Sequence, residues 1–186
     1  MIKNKTINTL IELALNEDIV NGDCTSNSTI EHNKKAKACF TAKDNGIIAG
    51  MELIPLIINI AKRKKYIRYS LKFLQFVKDG VRVKKEKVIA EIHGTIKDIL
   101  LLERTMLNFL SRTSGIATYT FGFVNALGKS RVYIYDTRKT LPAWRLLDKY
   151  AVTCGRGRNH RMNMGDQLLI KDNHWQADKQ GVLSYL

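Results

Sequence analysis

Two short apolar runs in the second half of the sequence are each followed directly by charged and hydroxyl side chains. Residues 132–135 precede Asp136-Thr137-Arg138-Lys139-Thr140, and residues 168–170 precede Lys171-Asp172-Asn173-His174. Between them, residues 142–150 follow a helical pattern that opens with a proline. Strand, loop, helix and strand in this order are typical of a parallel α/β sheet or barrel, where side chains just beyond the strands form the site. We therefore predict an α/β fold with functional loops at 136–140 and 171–174.

The apolar patterns in the first half of the chain extend over shorter segments. Helical spacing of apolar residues predicts helices at 7–15 and 51–61, joined by a polar connection at 16–28. Alternation predicts a hairpin of 36–42 with 46–49, and strands at 67–76, 81–83 and 88–92. A long helical period then begins at Thr95, and Ser114-Gly115 interrupts its apolar stripe. This half is predicted to be α+β.

The charge balance favours an anionic partner. Lys and Arg total 31 against 17 Asp and Glu, a formal net charge of +14, which suits nucleic acid, a phosphate ligand or a membrane surface. A biased coding sequence rich in Lys, Asn and Ile codons explains the same excess without any partner. Basic and aromatic residues alternate at 66–76, where they could stack bases, but the alternation fits a half-buried strand better.

Several classes of protein are disfavoured by the sequence. An apolar run at 7–15 is too short for a secretory signal and contains Glu12, and no apolar run reaches the roughly 18 residues of a bilayer span. The cysteines Cys24, Cys39 and Cys154 form no paired motif, so neither a disulfide framework nor a Cys-based zinc site is indicated. We expect a cytoplasmic protein without a membrane partner.

Three basic clusters are candidates for an anion site. They are the 136–140 segment, the glycine-containing loop 155–161 with Arg156, Arg158, Asn159, His160 and Arg161, and Lys171. A substrate with several negative charges would gain about 1.5 to 3 kcal/mol from each charge-assisted pair. The alternative interpretation is that these loops are solvated, that His160 is a core or capping residue, and that Lys171-Asp172 is a surface ion pair.

The same segments carry motifs of a known family. Glu103-Arg104-Thr105 is followed by 107–110 and 114–118, and then by the blocks 136–140, 146–152, 159–162 and 170–174. These blocks, in this order and spacing, resemble quinolinate phosphoribosyltransferase, also called nicotinate-nucleotide pyrophosphorylase (carboxylating). Segments 17–25 and 77–92 resemble the amino-terminal domain of that family.

The resemblance implies a two-domain enzyme of NAD biosynthesis. We expect an α+β sandwich-like amino-terminal domain with its linking helix over 1–112, and the first part of an incomplete α/β barrel over 113–186. The family's reaction joins quinolinate to phosphoribosyl diphosphate with Mg²⁺, giving nicotinate mononucleotide, carbon dioxide and diphosphate. It also implies a homodimer with shared active sites and no role for nucleic acid.

The resemblance assigns roles to individual residues. Thr137, Arg138, Lys139, His160, Arg161 and Lys171 match residues that line the site, with Lys139 and Lys171 as the catalytic candidates. Arg104 matches a residue that reaches the partner's site across the dimer interface. We expect Arg138, Lys139, His160, Arg161 and Lys171 to converge on one cavity, with Asp136 and Asp172 orienting Arg138 and Lys171.

Some features depart from the family pattern. Arg156, Ala143 and Glu86 stand where family members usually have glycine or another small turn former, and they are strained if the backbone there needs a positive φ. Family chains continue well beyond the equivalent of Leu186, and that part supplies the acidic residues that serve Mg²⁺ and the ribose. No metal ligands are therefore assigned here. A truncated, non-catalytic remnant of the enzyme is the alternative function, and a basic nucleic-acid-binding protein is a weaker one.

Overall fold

The fold is a mixed arrangement of seven helices and five strands within residues 4–185, the part of the chain that the computed structural model describes. The helices are α1 (Lys5–Asp18), α2 (Cys24–Thr29), α3 (Leu53–Arg63), α4 (Ile96–Ala126), α5 (Arg145–Cys154), α6 (Asp172–Ala177) and α7 (Lys179–Tyr185). The strands are β1 (Lys35–Thr41), β2 (Gly46–Ile47), β3 (Lys72–Gln75), β4 (Arg82–Val83) and β5 (Val88–Thr95). None of the helices in this part of the chain is long and apolar enough to cross a membrane.

An antiparallel sheet forms the centre of the first half. Its strand order is β1-β5-β3, and β2 pairs separately with β4. The predicted hairpin of 36–42 with 46–49 is therefore wrong. After β1 the chain stays hydrogen-bonded to the β4–β5 connection, since the Ala42 amide donates to the Lys87 carbonyl at 2.9 Å and the Lys85 amide donates to Asn45 Oδ1 at 3.0 Å.

Two side-chain carboxylates explain the other differences in this half. Asp23 caps α2 by accepting the Ser26 amide at 2.9 Å, so a short helix forms inside the predicted polar connection. Hydrogen bonds from Ser26 hold the pKa of Asp23 below its ordinary value. Buried Asp98 accepts the amides of Arg68 and Tyr69 at 3.4 and 3.2 Å. Those amides cannot join the sheet, and the predicted strand 67–76 is reduced to Lys72–Gln75.

The hydrophobic core lies between the sheet and helices α1, α3 and α4. Its fully buried side chains include Ile11 and Leu15 of α1, Ile54 and Ile57 of α3, and Leu102 of α4. A smaller cluster of Ile47, Ala49, Ala117 and Ala151 joins β2 to α4 and α5. Small side chains at this second contact let the helices approach closely.

Helix α4 runs unbroken for 31 residues, and it crosses the predicted domain boundary. Ser114-Gly115, which was predicted to interrupt the apolar stripe, lies inside this helix. The Ala49 amide donates to Ser114 Oγ at 3.1 Å, so the polar side chain fastens the helix to the β2 segment instead of ending it. Both halves of the fold therefore pack on one helix.

A second link joins the halves through Asp79. This carboxylate accepts the amides of Gly50 and Met51 at 2.8 and 3.0 Å, and the hydroxyl of Tyr150 in α5 at 2.6 Å. Burial and the neighbouring Asp79 raise the pKa of Tyr150 above its ordinary value. Tyr150 is therefore kept as a neutral donor between the two halves.

The predicted strands of the second half do not form ladders. Residues 132–135 contribute one parallel bridge, between Tyr135 and Arg158, and residues 168–170 are irregular. Within residues 4–185 no neighbouring strand covers these segments, and Tyr133, Tyr135 and Leu168 stay exposed. The predicted helix 142–150 begins later, at Arg145, because Ala143 has a φ of 65° that a helix does not accept.

Candidate active site

A buried ion pair joins the two basic loops, which we define as loop 136–140 and loop 158–162. Lys149 in α5 is 1% exposed, and its Nζ contacts the carboxylate of Asp136, whose side chain is 7% exposed. Lys149 Nζ also donates to the His160 carbonyl at 2.8 Å, and Asp136 Oδ1 accepts the His160 amide at 2.8 Å. The pairing of Asp136 with Arg138 expected from the sequence is wrong, since Lys149 occupies that carboxylate.

Two further contacts hold the loops together. The Arg145 guanidinium donates to the Met162 carbonyl at 3.0 Å and lies 3.4 Å from Thr140 Oγ1. Asn159, with its amide nitrogen facing Asp136, donates to Asp136 Oδ2 at 2.7 Å and to the Lys149 carbonyl at 2.9 Å. The loops are thus brought together at their backbones, which leaves their basic side chains to face outward.

The predicted site residues differ in exposure. Thr137 and Lys139 are exposed, whereas Arg138, His160 and Arg161 are half-buried. The Arg161 amide donates to His160 Nδ1 at 2.8 Å, so a neutral His160 ring carries its proton on Nε2. Arg138 Nε is buried without a hydrogen-bond partner among the described residues. This nitrogen is a free donor close to the surface of the site.

Lys171 and Arg104 lie on other elements. Lys171 is exposed at the start of α6, beyond Gln167, whose carbonyl accepts Arg161 Nη1 at 2.9 Å. The Lys171 amide contacts His174 at 3.0 Å, while no salt bridge between Lys171 and Asp172 forms in the described chain. Arg104 lines a cavity of about 1080 Å³ between α4 and the β1–β2 connection. Convergence of all the predicted residues on one cavity stays a prediction.

Two carboxylates of the second half, those of Asp148 and Asp166, are already engaged. Asp148 accepts a bidentate pair from Arg112, with Nε at 3.1 Å and Nη2 at 3.0 Å. Asp166 accepts the Met162 amide at 2.7 Å, and this hydrogen bond holds the pKa of Asp166 below its ordinary value. Within residues 4–185 no three Asp, Glu, His or Cys residues lie together as a metal site would require. The described residues therefore form no metal cage of protein ligands alone, whereas Mg²⁺ is ordinarily bound by one or two carboxylates together with substrate oxygens and water.

The cations of the predicted site are left without counter-charges. Across the described residues, no salt bridge involves Arg104, Arg138, Lys139, Arg161 or Lys171. Because the nearby carboxylates serve Lys149, Arg112 and backbone amides, these cations can accept an external anion without breaking an internal pair.

Family models match both halves of the chain. The model of the quinolinate phosphoribosyl transferase N-terminal domain matches residues 23–114, and that of the C-terminal domain matches residues 116–182. The chain belongs to the quinolinate phosphoribosyltransferase family. The resemblance stated from the motifs is therefore confirmed.

Individual relatives agree with this assignment. The chain is 42% identical over 169 residues to quinolinate phosphoribosyltransferase [decarboxylating] 2a, mitochondrial, of Nicotiana tabacum, covering 90% of this chain and 46% of that protein. It is 37% identical to nicotinate-nucleotide pyrophosphorylase [carboxylating] of Mycobacterium leprae, covering 90% and 58%. The chain thus spans about half the length of these curated relatives.

A solved structure confirms the fold class. The chain superposes on NadC from Streptococcus pyogenes with a TM-score of 0.86 at 36% identity, covering 96% of this chain and 62% of that one. The predicted class, an amino-terminal α+β domain followed by part of an α/β barrel, is confirmed.

The positions where the family usually has glycine are strained here. Glu86, Ala143 and Arg156 have φ values of 65°, 65° and 67°, a region that costs a non-glycine residue about 1 to 2 kcal/mol. The Arg156 guanidinium lies 5.3 Å from the centre of the Phe121 ring, and an exposed contact of this kind returns about 0.5 to 1 kcal/mol. Arg156 thus offsets part of its own backbone strain.

Replacing Ala143 by glycine should stabilise the protein. The exposed Ala143 methyl is lost, and relief of the positive φ is expected to raise the free energy of unfolding by about 1 kcal/mol. Ala126→Gly, at the end of α4, is the matched control, and it should lower the same quantity by about 0.5 to 1 kcal/mol. Urea unfolding measures both. Destabilisation by Ala143→Gly would show that the strain is not relieved.

Sequence reasoning missed Lys149 and Arg145 as site residues, and it gave Asn159, a member of the candidate loop, no role of its own. Periodicity assigned Lys149 only to a helix, although it is flanked by the buried residues Leu147 and Ala151. A lysine on the apolar side of a short helix needs a buried carboxylate. Asp136 at the end of a predicted strand was the signal that could have identified the pair.

Proposed function

We propose that this chain binds quinolinate and phosphoribosyl diphosphate and joins them to give nicotinate mononucleotide, carbon dioxide and diphosphate. The observation that carries the proposal is the set of unpaired cations on loops already tied together by Asp136 and Lys149. Both substrates are polyanions, so both supply the missing counter-charges. Membership of the phosphoribosyltransferase family gives the reaction class.

The residues act mainly by positioning. Arg138, His160 and Arg161 hold the two quinolinate carboxylates, while Lys139 and Lys171 face carboxylate and phosphate oxygens. Held in line, the ring nitrogen forms a bond to the ribose anomeric carbon as the bond to diphosphate breaks. Fixed cations stabilise the charge on the leaving diphosphate. The carbon–carboxylate bond next to the ring nitrogen then breaks, carbon dioxide leaves and a proton takes its place.

We also propose where the metal and the second subunit enter. Mg²⁺ would be held mainly by substrate phosphate oxygens, as Mg²⁺ often is, because no three candidate metal ligands lie together in the described residues. In a homodimer, exposed Arg104 reaches the site of the partner.

The three free cysteines support a reducing compartment such as the cytoplasm.

Calorimetric titration with quinolinate tests the proposal. We expect binding at least 10-fold tighter than that of nicotinate, which lacks one carboxylate, because each charge-assisted pair contributes about 1.5 to 3 kcal/mol. Lys139→Ala should weaken quinolinate binding about 10-fold or more on the same grounds. The matched control is Lys72→Ala, an exposed lysine of β3, which should bind as wild type. Equal affinity for the two pyridines would overturn the proposal.

Turnover is measured separately, as Mg²⁺-dependent release of labelled carbon dioxide from quinolinate and phosphoribosyl diphosphate. Release supports the enzyme, whereas binding without release supports the non-catalytic alternative. Tight binding of random duplex DNA, with a steep decrease on adding salt, would favour the nucleic-acid-binding alternative.

A further inference from the structure

A stabilising role alone does not explain why Asp136 and Lys149 form a buried ion pair at this position. Both side chains are more than nine-tenths buried, and removing two charges from water is costly enough that an apolar pair of similar size is often at least as stable. The remaining hydrogen bonds of the pair do not go to the core. They go to the backbone of His160 and to the side chain of Asn159.

Both polar backbone atoms of His160 are held by this pair. Asp136 Oδ1 accepts the His160 amide at 2.8 Å, and Lys149 Nζ donates to the His160 carbonyl at 2.8 Å. The peptide groups on each side of His160 are therefore fixed from α5. These two peptide groups set the direction of the His160 side chain and the position of the Arg161 backbone nitrogen.

The same pair fixes the other loop. Asp136 is the first residue of loop 136–140, and its own amide donates to the Arg158 carbonyl at 3.1 Å. Asn159 adds a bond to each member, reaching Asp136 Oδ2 and the Lys149 carbonyl. The buried ion pair thus joins the two basic loops, together with the Asp136–Arg158 backbone hydrogen bond and the Arg145 contacts.

We infer that Asp136 and Lys149 are positioning residues that hold Arg138 and Lys139 at a fixed separation from His160 and Arg161, matched to a rigid dicarboxylate. The inference rests on the proposed function for its ligand. The two carboxylates of quinolinate sit on adjacent ring carbons and cannot adjust to a changed spacing. A misplacement of about 1 Å in such a site can cost about 100-fold.

The test compares neighbouring residues of one helix. Lys149→Met should weaken quinolinate binding at least 10-fold in calorimetric titration of the full chain. Asp148→Asn is the matched control, since it breaks the Arg112 pair between α4 and α5 without contacting either basic loop. This control should lose stability and retain its quinolinate affinity within about two-fold. Equal losses of affinity in the two variants would overturn the inference.

Amide hydrogen exchange supplies a readout that does not depend on the ligand. In Lys149→Met, exchange in the peptide 158–163 should accelerate at least 10-fold, whereas exchange in α3 should keep its wild-type rate. Unchanged exchange in 158–163 would contradict the inference even if quinolinate proved not to bind. Failure of wild-type protein to bind quinolinate, with accelerated exchange in the variant, would reject the proposed function and keep the positioning role.

A double variant covers the case in which Lys149→Met does not fold. Asp136→Asn with Lys149→Met leaves no unpaired buried charge, so it should unfold at a higher temperature than Lys149→Met. It still lacks the donor to the His160 carbonyl and should still bind quinolinate at least 10-fold more weakly than wild type. Wild-type affinity in the double variant would overturn the inference.

Discussion

Replacing Gly155 with alanine is expected to lower the midpoint of thermal unfolding by about 2 to 12 °C. A Cβ atom at this position would lie 2.3 Å from the backbone oxygen of Ala117 and 2.7 Å from Cβ of Thr120. Neither atom is the end of a flexible side chain, so α4 and α5 must separate. Overpacking of this kind costs about 1 to 3 kcal/mol, and each kcal/mol shifts the midpoint by about 2 to 4 °C in a domain of this size.

A glycine-to-alanine substitution at an exposed position should instead increase the stability of the protein. Gly122 lies on the exposed face of α4, with nothing within 4 Å of an added Cβ. Gly122→Ala is expected to stabilise the protein by up to about 1 kcal/mol, because alanine is the better helix former. Differential scanning calorimetry measures both variants. A Gly155→Ala protein that melts with the wild type would show that the two helices can separate without cost.

Mixed dimers of Arg104→Ala and Lys139→Ala chains should regain binding that each variant lacks alone. Loss of one charged partner is worth about 1.5 to 3 kcal/mol, a decrease of about 10-fold to 100-fold in quinolinate affinity. If Arg104 acts across the interface, a mixed dimer contains one site with both residues intact. Random mixing then restores about a quarter of all sites.

Stoichiometry in calorimetric titration distinguishes this outcome from simple averaging. After the chains are mixed and allowed to exchange, about one site in four should bind quinolinate with wild-type affinity. Mixing Lys139→Ala with Lys171→Ala is the control, since both residues are proposed to act within their own subunit. Recovery by the control pair, or none by the Arg104 pair, would contradict site sharing.

Local patterns predicted the elements of the fold better than their partners. Apolar spacing identified α1, α3 and the long α4, because burial of one helix face leaves a direct periodic signal. It paired β1 with the wrong strand, because the true partner β5 lies about 50 residues further along the chain and a turn-like Asp44-Asn45-Gly46 stands between. Pairing between strands so far apart in the sequence depends on how they pack in the hydrophobic core, which local patterns do not show.

The candidate site shows the same contrast between residues that local patterns predict and residues that they do not. Motifs predicted Arg138, Lys139, His160, Arg161 and Lys171 as site residues, because clusters of basic residues are visible in the sequence whatever their burial; their role stays a prediction. Lys149 was not identified, because its carboxylate partner lies thirteen positions earlier and local periodicity does not pair residues over that distance. The positive φ at Arg156 was foreseen from the glycine pattern of the family and is found in the structure.

The unbroken helix α4 limits how this protein can move around a ligand. Residues 104 and 117 lie on one rigid helix, about 20 Å apart at 1.5 Å per residue. Ala117 is pressed against Gly155 and Ala151 of α5. A hinge between the halves would have to break this helix, so closure over a substrate by domain rotation is disfavoured. Among the described residues, loop rearrangement is the motion that this helix leaves free.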